Sequence, residues 1–348
     1  MQKQKLGFNE TLEKDVILTN KCVGCATCVV VCPFNCLEYV EGQPRLVKKC
    51  ENCGICPPAC PEYDWSWSKA EQFVFGRQRR EDEEFGIYRR LVLANATDKR
   101  ILEKAQDGGA VTALLIYALQ NGIIEGVAHS GFSKEKTFFP VPKLATTTEQ
   151  ILENAGTRYT YSPSLLAFRE GVKQGKENLA FVGTPCQIHA LRKIQMFPLK
   201  KYSNPLQFAI GLMCTESFTY GGLIEHHIKK NMGINLNDIA KMNIKGKIQV
   251  YLKSGEKKSI PLAEAKQYTR QSCRICNDFS AELADISAGG LGLSNWTFLI
   301  LRTERGESLL DGAVDAGLLK TRVVDEEPFA LTLLSKLSKK KQQASPRN

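Results

Sequence analysis

The sequence predicts an α/β main domain, with a mostly parallel sheet and an antiparallel addition, preceded by a small cysteine-rich α+β unit. Three observations carry this. Eight of the thirteen cysteines fall in two copies of one spacing before residue 61. Beyond residue 80, strand-like apolar runs alternate with helix-like ones, as they do where helices cover a parallel sheet. The stretch KIQVYLKSGEKKSIPL then reads as a hairpin turning at Ser254-Gly255, an antiparallel element. These patterns divide the chain into an arm over residues 1–14, a cysteine unit over 15–65, a connector over 66–87, a main domain over 88–335 and a basic tail over 336–348.

Taken in order, the first residues, MQKQKLGFNETLEKD, carry no apolar signal segment, so the thiols are expected to be reduced and the protein cytoplasmic. Cys22, Cys25, Cys28 and Cys32 then follow the pattern CxxCxxCxxxC, with Pro33 next. Cys50, Cys53, Cys56 and Cys60, followed by Pro61, repeat it 28 residues later. This is the spacing of two-cluster bacterial ferredoxins, in which three close cysteines hold three irons of a [4Fe-4S] cubane and the fourth reaches the other cluster. The crossing assigns Cys22, Cys25, Cys28 and Cys60 to one cluster, and Cys50, Cys53, Cys56 and Cys32 to the second. A pair of zinc sites would leave the third cysteine and the Cys-Pro ending of each motif unexplained, because zinc needs only four ligands from two CxxC units. Cys36 lies outside both motifs and reads as a small buried hydrophobe beside a cluster.

After the aromatic and charged connector, RLVLANA (90–96) reads as a strand. DGGAVTALLIYALQNG places Val111, Leu114, Leu115, Ala118 and Leu119 on one helical face and stops at Asn121-Gly122. GIIEGVAHS, NLAFVG and LQFAIGLM read as further strands, TPCQIHALRKI and GGLIEHHIKK as helices, and WTFLILR as a late strand. Cys186 and Cys214 each follow directly on a strand-like run. They therefore sit at strand carboxyl ends, the edge where ligands collect in an open α/β sheet. With the CxxC pair Cys273 and Cys276 they make four thiolates, the number required by a third [4Fe-4S] cluster or by a structural zinc; a redox dithiol or plain packing are the other readings. Two clusters already in the chain favour a third, which extends an electron path where zinc does not.

Clusters move single electrons, so the chain needs a splitter of two-electron reagents, and a flavin is the usual one. The Gly108-Gly109 pair opening a helix offers free amides and a dipole to a phosphate. The loop GTRYTYS (156–162) is a second candidate. No GxGxxG follows a strand, which disfavours direct nicotinamide binding. His189, one turn beyond Cys186, could relay a proton to the flavin, against a reading in which it packs or caps. His129 lies at a strand end, and His226-His227 read as a solvated helix face.

The ordered run DGGAVTALLIYAL, GTRYTYS, FVGTPCQIHALR, GLMC, SCRICNDFSAELADISAGGLG and WTFLILRTERG, over about residues 88 to 325, is similar to the beta-subunit family of coenzyme F-420 hydrogenases and dehydrogenases. With two ferredoxin-type motifs ahead of that domain, the chain resembles the electron-input subunits of archaeal F-420H2 dehydrogenases. The resemblance implies an oxidoreductase that holds FAD and a [4Fe-4S] cluster in the domain and exchanges hydride with F-420. Electrons would then pass singly through three clusters to a membrane respiratory complex or ferredoxin. It assigns Cys186, Cys214, Cys273 and Cys276 to the domain cluster. It also assigns Gly108, Gly109, Thr112, Thr157, Arg158, Tyr159 and Thr184 to the flavin pocket. Asp107, where serine is common, and Thr157-Arg158, where Ser-Lys is common, depart from the family pattern. A deazaflavin carries hydride but not single electrons, which makes FAD the required intermediary. The same resemblance admits the reverse direction, as the F-420-reducing beta subunit of a hydrogenase or formate dehydrogenase. The non-enzyme alternative is a flavin-free iron-sulfur carrier with a zinc-stabilised domain.

Charge adds an expectation about partners. The net charge of +10 is uneven, since the last thirteen residues, KLSKKKQQASPRN, hold five basic side chains and no acidic one. Such a segment reads as a solvated, frayed end, or else as a docking element for acidic lipid or an acidic partner, giving peripheral membrane association. Nucleic acid is disfavoured, because aromatic and basic residues do not interleave. The longest apolar run, AVTALLIYAL, is half of the roughly 20 residues a spanning helix requires.

Overall fold

The computed structural model describes residues 6–345. After a π-wound helix over Asn9–Ile17 and a short helix over Thr27–Val31 comes an antiparallel pair, β1 (Leu37–Val40) and β2 (Gln43–Leu46), then a turn of helix over Cys56–Ala59. The connector is ordered too. Ser66 caps a helix over Trp67–Phe75 by accepting from the Lys69 amide, and Gly76 ends it at φ 71°. Gly76 can adopt that left-handed geometry without the Cβ penalty.

The main domain supplies β3 (Arg90–Ala96), β4 (Gly126–Phe132), β5 (Pro140–Ala145), β6 (Leu179–Gly183), β7 (Leu206–Leu212), β8 (Ile239–Ile244), β9 (Lys247–Leu252), β10 (Lys257–Pro261), β11 (Ile286–Gly289), β12 (Thr297–Leu301) and β13 (Leu319–Arg322). Eight of these form one mixed sheet in the order β13-β3-β12-β11-β7-β6-β4-β5. Its centre, β11-β7-β6-β4, is parallel. β5 runs antiparallel on one flank, and β12, β3 and β13 on the other pair antiparallel throughout. The expected α/β domain is therefore present, with antiparallel additions on both flanks. The hairpin at Ser254-Gly255 also forms, as β9 and β10, but it pairs with β8 in a separate three-stranded sheet.

Side-chain alternation along the strands sets two faces, since neighbouring residues point opposite ways. Val92, Ala94, Leu299 and Leu301 face the helices Ala110–Gln120 and Glu304–Asp315. Leu93, Phe298 and Ile300 face the opposite side, where Ala330 and Leu334 of the helix Pro328–Ala344 cover them. Further along that second side, the helices Leu165–Lys173 and Pro185–Met196 lie between the sheet and the cysteine unit. Val29, Val30, Ala59, Trp67, Phe168, Leu191 and Ile194 form part of one continuous apolar cluster. A fully buried side chain of this size contributes about 1.5–3 kcal/mol. The cysteine unit is thus packed into the core of the molecule.

Two arginines pin the connector. Arg302 is 1% exposed and donates to the carbonyls of Phe85, Ile87 and Ser280 and to the Ser287 hydroxyl. Arg79 pairs with both Glu71 and Glu282. The basic segment 336–348 departs from its expectation. Residues 336–344 are the second half of the helix Pro328–Ala344, with Ser338 buried and Lys339 2.6 Å from Glu84. Lysines suggest solvent and hence a frayed end, but Leu334, Ser338 and Lys341 recur at helical spacing on an inward face. Residues 1–5 and 346–348 of the arm and tail lie outside the described residues.

Candidate functional site

Two antiparallel steps separate β3 from β11, so β3 points the same way as the parallel centre. The carboxyl ends of β3, β4, β6, β7 and β11 consequently share one edge of the sheet. That edge gathers Gly108, His129, Ser130, Thr184, Cys186, Cys214 and Gly290 from segments far apart in the chain. Gly108 is required there by close approach: a Cβ would stand 2.4 Å from the Ala94 carbonyl oxygen and 2.5 Å from the Thr297 amide nitrogen. Gly109, at φ 71°, starts the helix whose first amides face the edge.

The thiols fall into three groups. One cavity is lined by Cys22, Cys25, Cys28 and Cys60 with Leu12, Val16 and Ile17. A second is lined by Cys32, Cys50, Cys53 and Cys56 with Phe8 and Ile55. Each cavity takes three cysteines from one motif and the fourth from the other. Cys36 lines the second cavity as well, its thiol 3.2 Å from the Lys49 carbonyl. Burial pushes the Cys25 and Cys56 thiols up to about 12, so bare thiolates are disfavoured there, and a cationic iron core held by these residues would supply the charge that ionises them. The donor set fits two cubanes.

At the sheet edge the third group closes. Burial raises the Cys186 thiol, which Cys276 and Cys273 face; Cys214, pushed up to about 12, faces the same two residues. The local backbone orders them: the Cys214 amide donates to the Phe279 carbonyl at 2.8 Å, and the Ser217 amide lies 3.4 Å from the Cys273 sulfur. Lys341 reaches this group from the C-terminal helix. Burial works against its charge, but Cys276, Cys214 and Cys273 raise its pKa above the usual lysine value.

Between this group and the first cavity lie Arg270, Tyr161 and Tyr39. The Arg270 guanidinium stacks 3.8 Å over the Tyr161 ring and donates to the Val23 carbonyl at 2.9 Å, next to Cys22. The Tyr161 hydroxyl is 4.0 Å from the Cys186 sulfur, and Tyr39 faces Cys22, Cys25 and Cys186. The helix Pro185–Met196 spans the same interval: Cys186 is at its start, and the Lys193 ammonium donates to the Tyr63 and Asp64 carbonyls beyond Cys60.

Beside the thiols the edge is polar and under-satisfied. Arg158 Nε, His129 Nε2, Ser130 Oγ, Ser162 Oγ and Gln106 Nε2 are buried without hydrogen-bond partners among the described residues. Burial lowers Arg158 to about 10, and burial together with Arg158 lowers His129 to about 4. Orphaned buried donors are costly unless a ligand completes them. Lys241 and Lys245 approach from β8 and the turn after it, donating to the carbonyls of Ala105 and Leu293 and facing Asp107. A flavin carrying phosphates fits this donor set.

Of the sequence candidates, Gly108, Gly109 and Thr112 open the helix at this edge, and Arg158 is among the orphaned groups. Tyr159 is half-buried against β8 to β10, and Thr157 is exposed. Thr184 leans toward the thiols, its hydroxyl 3.3 Å from the Cys186 sulfur. His189 takes the packing arrangement of its two readings. It bonds Asp278 at 2.9 Å, stacks on Trp65 at 4.6 Å and meets Trp67 edge-on, all on the side of the cysteine unit. His226 is exposed, and His227 lies 3.4 Å from the Tyr268 hydroxyl. Sequence reasoning reads Tyr161 only as part of the candidate loop GTRYTYS and misses Arg270 and Lys341, because nothing in their local pattern separates these two from surface or core residues. Arg270 lies within the motif containing Cys273, and that nearness is the available signal.

Comparison with known proteins agrees with this layout. The family described as "Coenzyme F420 hydrogenase/dehydrogenase, beta subunit" matches in two parts, its N-terminal part over residues 91–169 and its C-terminal part over 176–327. A "4Fe-4S binding domain" matches 15–38. The chain is 39% identical to the coenzyme F420 hydrogenase subunit beta of Methanococcus voltae over 262 residues, 74% of this chain and 93% of that one. It is 32% identical to one of the subunits of the F(420)H(2) dehydrogenase of Methanosarcina mazei, covering 69% of this chain and 67% of that one. A chain in a structure of the F420-reducing [NiFe] hydrogenase complex from Methanosarcina barkeri superposes with a TM-score of 0.72 at 36% identity, over 76% of this chain and 92% of that one. With both halves of its main domain matched, the protein belongs to the coenzyme F-420 hydrogenase/dehydrogenase beta-subunit family.

Proposed function

We propose that the protein oxidises reduced coenzyme F-420 by hydride transfer to FAD, and delivers the electrons singly through three [4Fe-4S] clusters to a membrane complex or ferredoxin. FAD would supply the two-electron to one-electron conversion, and the clusters the single-electron steps. The observation that carries the reading is the succession of thiol groups. The sheet-edge cysteines adjoin the Cys22 cavity through Tyr161 and Tyr39, and Cys28 of that cavity faces Cys56 of the other.

In this reading Gly108 and Gly109 let the helix start approach the flavin phosphates, and Arg158 donates its free Nε–H to them. His129, held neutral, offers a hydrogen bond without adding charge. Lys241 and Lys245 place positive charge near the cleft, which steers the polyanionic tail of F-420 toward it. The thiol groups order the sequence of electron steps, and the buried apolar lining of each cavity excludes water.

A second reading has a specific support: identity to the hydrogenase beta subunit (39%) exceeds that to the dehydrogenase subunit (32%). The chain would then reduce F-420 with electrons from a hydrogenase or formate dehydrogenase. Copurification of a nickel or molybdenum subunit selects this direction. The test of the chemistry itself is anaerobic reconstitution with iron, sulfide and FAD, followed by mixing with reduced F-420. Flavin bleaching followed by cluster reduction is expected, at roughly twelve irons per chain. Zinc at the sheet edge, or no bound FAD, would overturn it.

A further inference from the structure

Arg270 is a half-buried cation that faces Tyr161, Cys273, Cys186, Tyr39 and Cys22. Its position is fixed by three contacts. The guanidinium stacks on Tyr161, donates to the Val23 carbonyl, and is placed by a backbone bond from the Arg270 amide to the Ser217 carbonyl at 3.0 Å. Ser217 is also the residue whose amide meets the Cys273 sulfur. One end of this side chain is therefore tied to the sheet-edge thiols and the other to the loop of Cys22. Gly24 makes room for it: a Cβ there would stand 2.7 Å from the guanidinium and 2.7 Å from the Gly42 carbonyl oxygen. These contacts tie the guanidinium to the loop of Cys22 and to the sheet-edge loop, and none of them is made with a residue lining the Cys50 cavity.

We propose that Arg270 is a shared counter-charge for the sheet-edge site and the Cys22 site, a positioning residue that sets both potentials together. The proposal rests on the reading that each thiol set holds a [4Fe-4S] cluster. Each cluster gains one negative charge when it accepts an electron, and a fixed cation beside it favours the reduced form. Because the same cation adjoins both clusters, an electron passing from one to the other stays next to it. The hop then needs little electrostatic work, whereas a cation beside only one cluster would trap the electron there. Lys341 provides the contrast, for it faces the sheet-edge thiols alone.

The test is redox potentiometry of the fully loaded protein, with each cluster followed by its paramagnetic signal, in wild type, Arg270→Gln, Arg270→Lys and Lys341→Gln. Arg270→Gln should move the midpoints of the sheet-edge and Cys22 clusters in the negative direction together and leave the Cys50 cluster in place. Arg270→Lys should restore most of the shift. Lys341→Gln should move the sheet-edge cluster alone. Should Arg270→Gln fail to load, Arg270→Met, apolar and of similar length, carries the same expectation. Unchanged midpoints in a fully loaded neutral variant, or equal shifts at all three clusters, would overturn the proposal. Iron and zinc analysis of the wild type separates this from a failure of the underlying reading, which would show as zinc in place of the third cluster before any variant is compared.

Discussion

The two thiol cavities of the N-terminal unit and the thiol group at the sheet edge use the same four-cysteine chemistry but are built differently. In the first two, a motif within eleven residues supplies three thiols and the other motif, 28 residues away, supplies the fourth. Their walls are mainly apolar, with Leu12, Val16 and Ile17 in one and Phe8 and Ile55 in the other. The sheet-edge group draws on positions 186, 214, 273 and 276, brought together by β6, β7 and the loop before β11, and it has a cation on each side, Arg270 and Lys341. A local motif makes a site that needs little from the fold. A site assembled by the sheet can be placed between two neighbours, with the orphaned polar groups on one side and the Cys22 cavity on the other.

That contrast is most directly broken by removing one ligand from the assembled site. Cys273→Ser should leave hydride transfer from reduced F-420 to FAD intact in a single turnover, since that step needs contact with the flavin only. Reduction of the N-terminal clusters should slow by orders of magnitude, because electrons must cross a wider gap. Stopped-flow spectra would show reduced flavin beside oxidised clusters. Wild-type transfer in a folded, FAD-replete variant would remove the sheet edge from the electron path.

A second prediction sharpens the polar side of the comparison. His129 is held near 4 in the fold against about 6.5 unfolded, so the unfolded chain binds more protons between those values. Its contribution is fully present above about pH 6.5 and is lost as pH falls toward 4, a slope worth roughly 3 kcal/mol in the flavin-free protein. His129→Phe should flatten this acid limb in denaturant titrations. An unchanged limb would show that His129 is not buried neutral.

Next in size is Arg158, whose Nε–H lacks an acceptor while its Nη1 holds the carbonyls of Asn154, Ala155 and Gly156. A charged hydrogen bond contributes about 1.5–3 kcal/mol. Arg158→Met should therefore weaken FAD roughly 10- to 100-fold, read from flavin fluorescence, with iron content retained. Equal flavin affinity would separate Arg158 from the pocket. The smallest effect belongs to the outer face of the C-terminal helix. Lys336 and Lys340 are exposed, so converting both to Gln should change stability by less than about 0.5 kcal/mol. Association with a membrane complex at low ionic strength should weaken, and that difference should vanish in salt. Salt-independent binding would assign docking to another surface.

Sequence legibility follows the same division. The crossed grouping of the thiols from Cys22 to Cys60 around two cavities was legible because fixed spacing within a short loop leaves the backbone few ways to present its thiols. The helix and strand order was legible because Leu114 or Phe208 must face a core wherever the chain goes. The partnership of Cys186, Cys214, Cys273 and Cys276 could be raised only as one reading among several, since strand order decides which carboxyl ends are neighbours. The lysines after residue 335 misled because composition records charge and not direction. The helix turns Lys341 inward while Lys339 and Lys340 face out. For His189 the sequence left a proton relay open beside packing or capping, and the structure shows the packed arrangement, against Trp65 and Asp278.

By itself, then, the sequence determined the chemistry available: thirteen thiols, twelve of them at cluster-like spacings or strand ends, and a glycine pair opening a helix. Only the tertiary structure decided the order of the sites along a path and which cations lie beside them. The physical reason is range. Spacing constrains atoms that share a few bonds of backbone, whereas the field at the sheet-edge thiols depends on Arg270 beside Cys186, 84 residues away, and on Lys341 beside Cys214, 127 residues away, which reach them only once the sheet and its covering helices have formed.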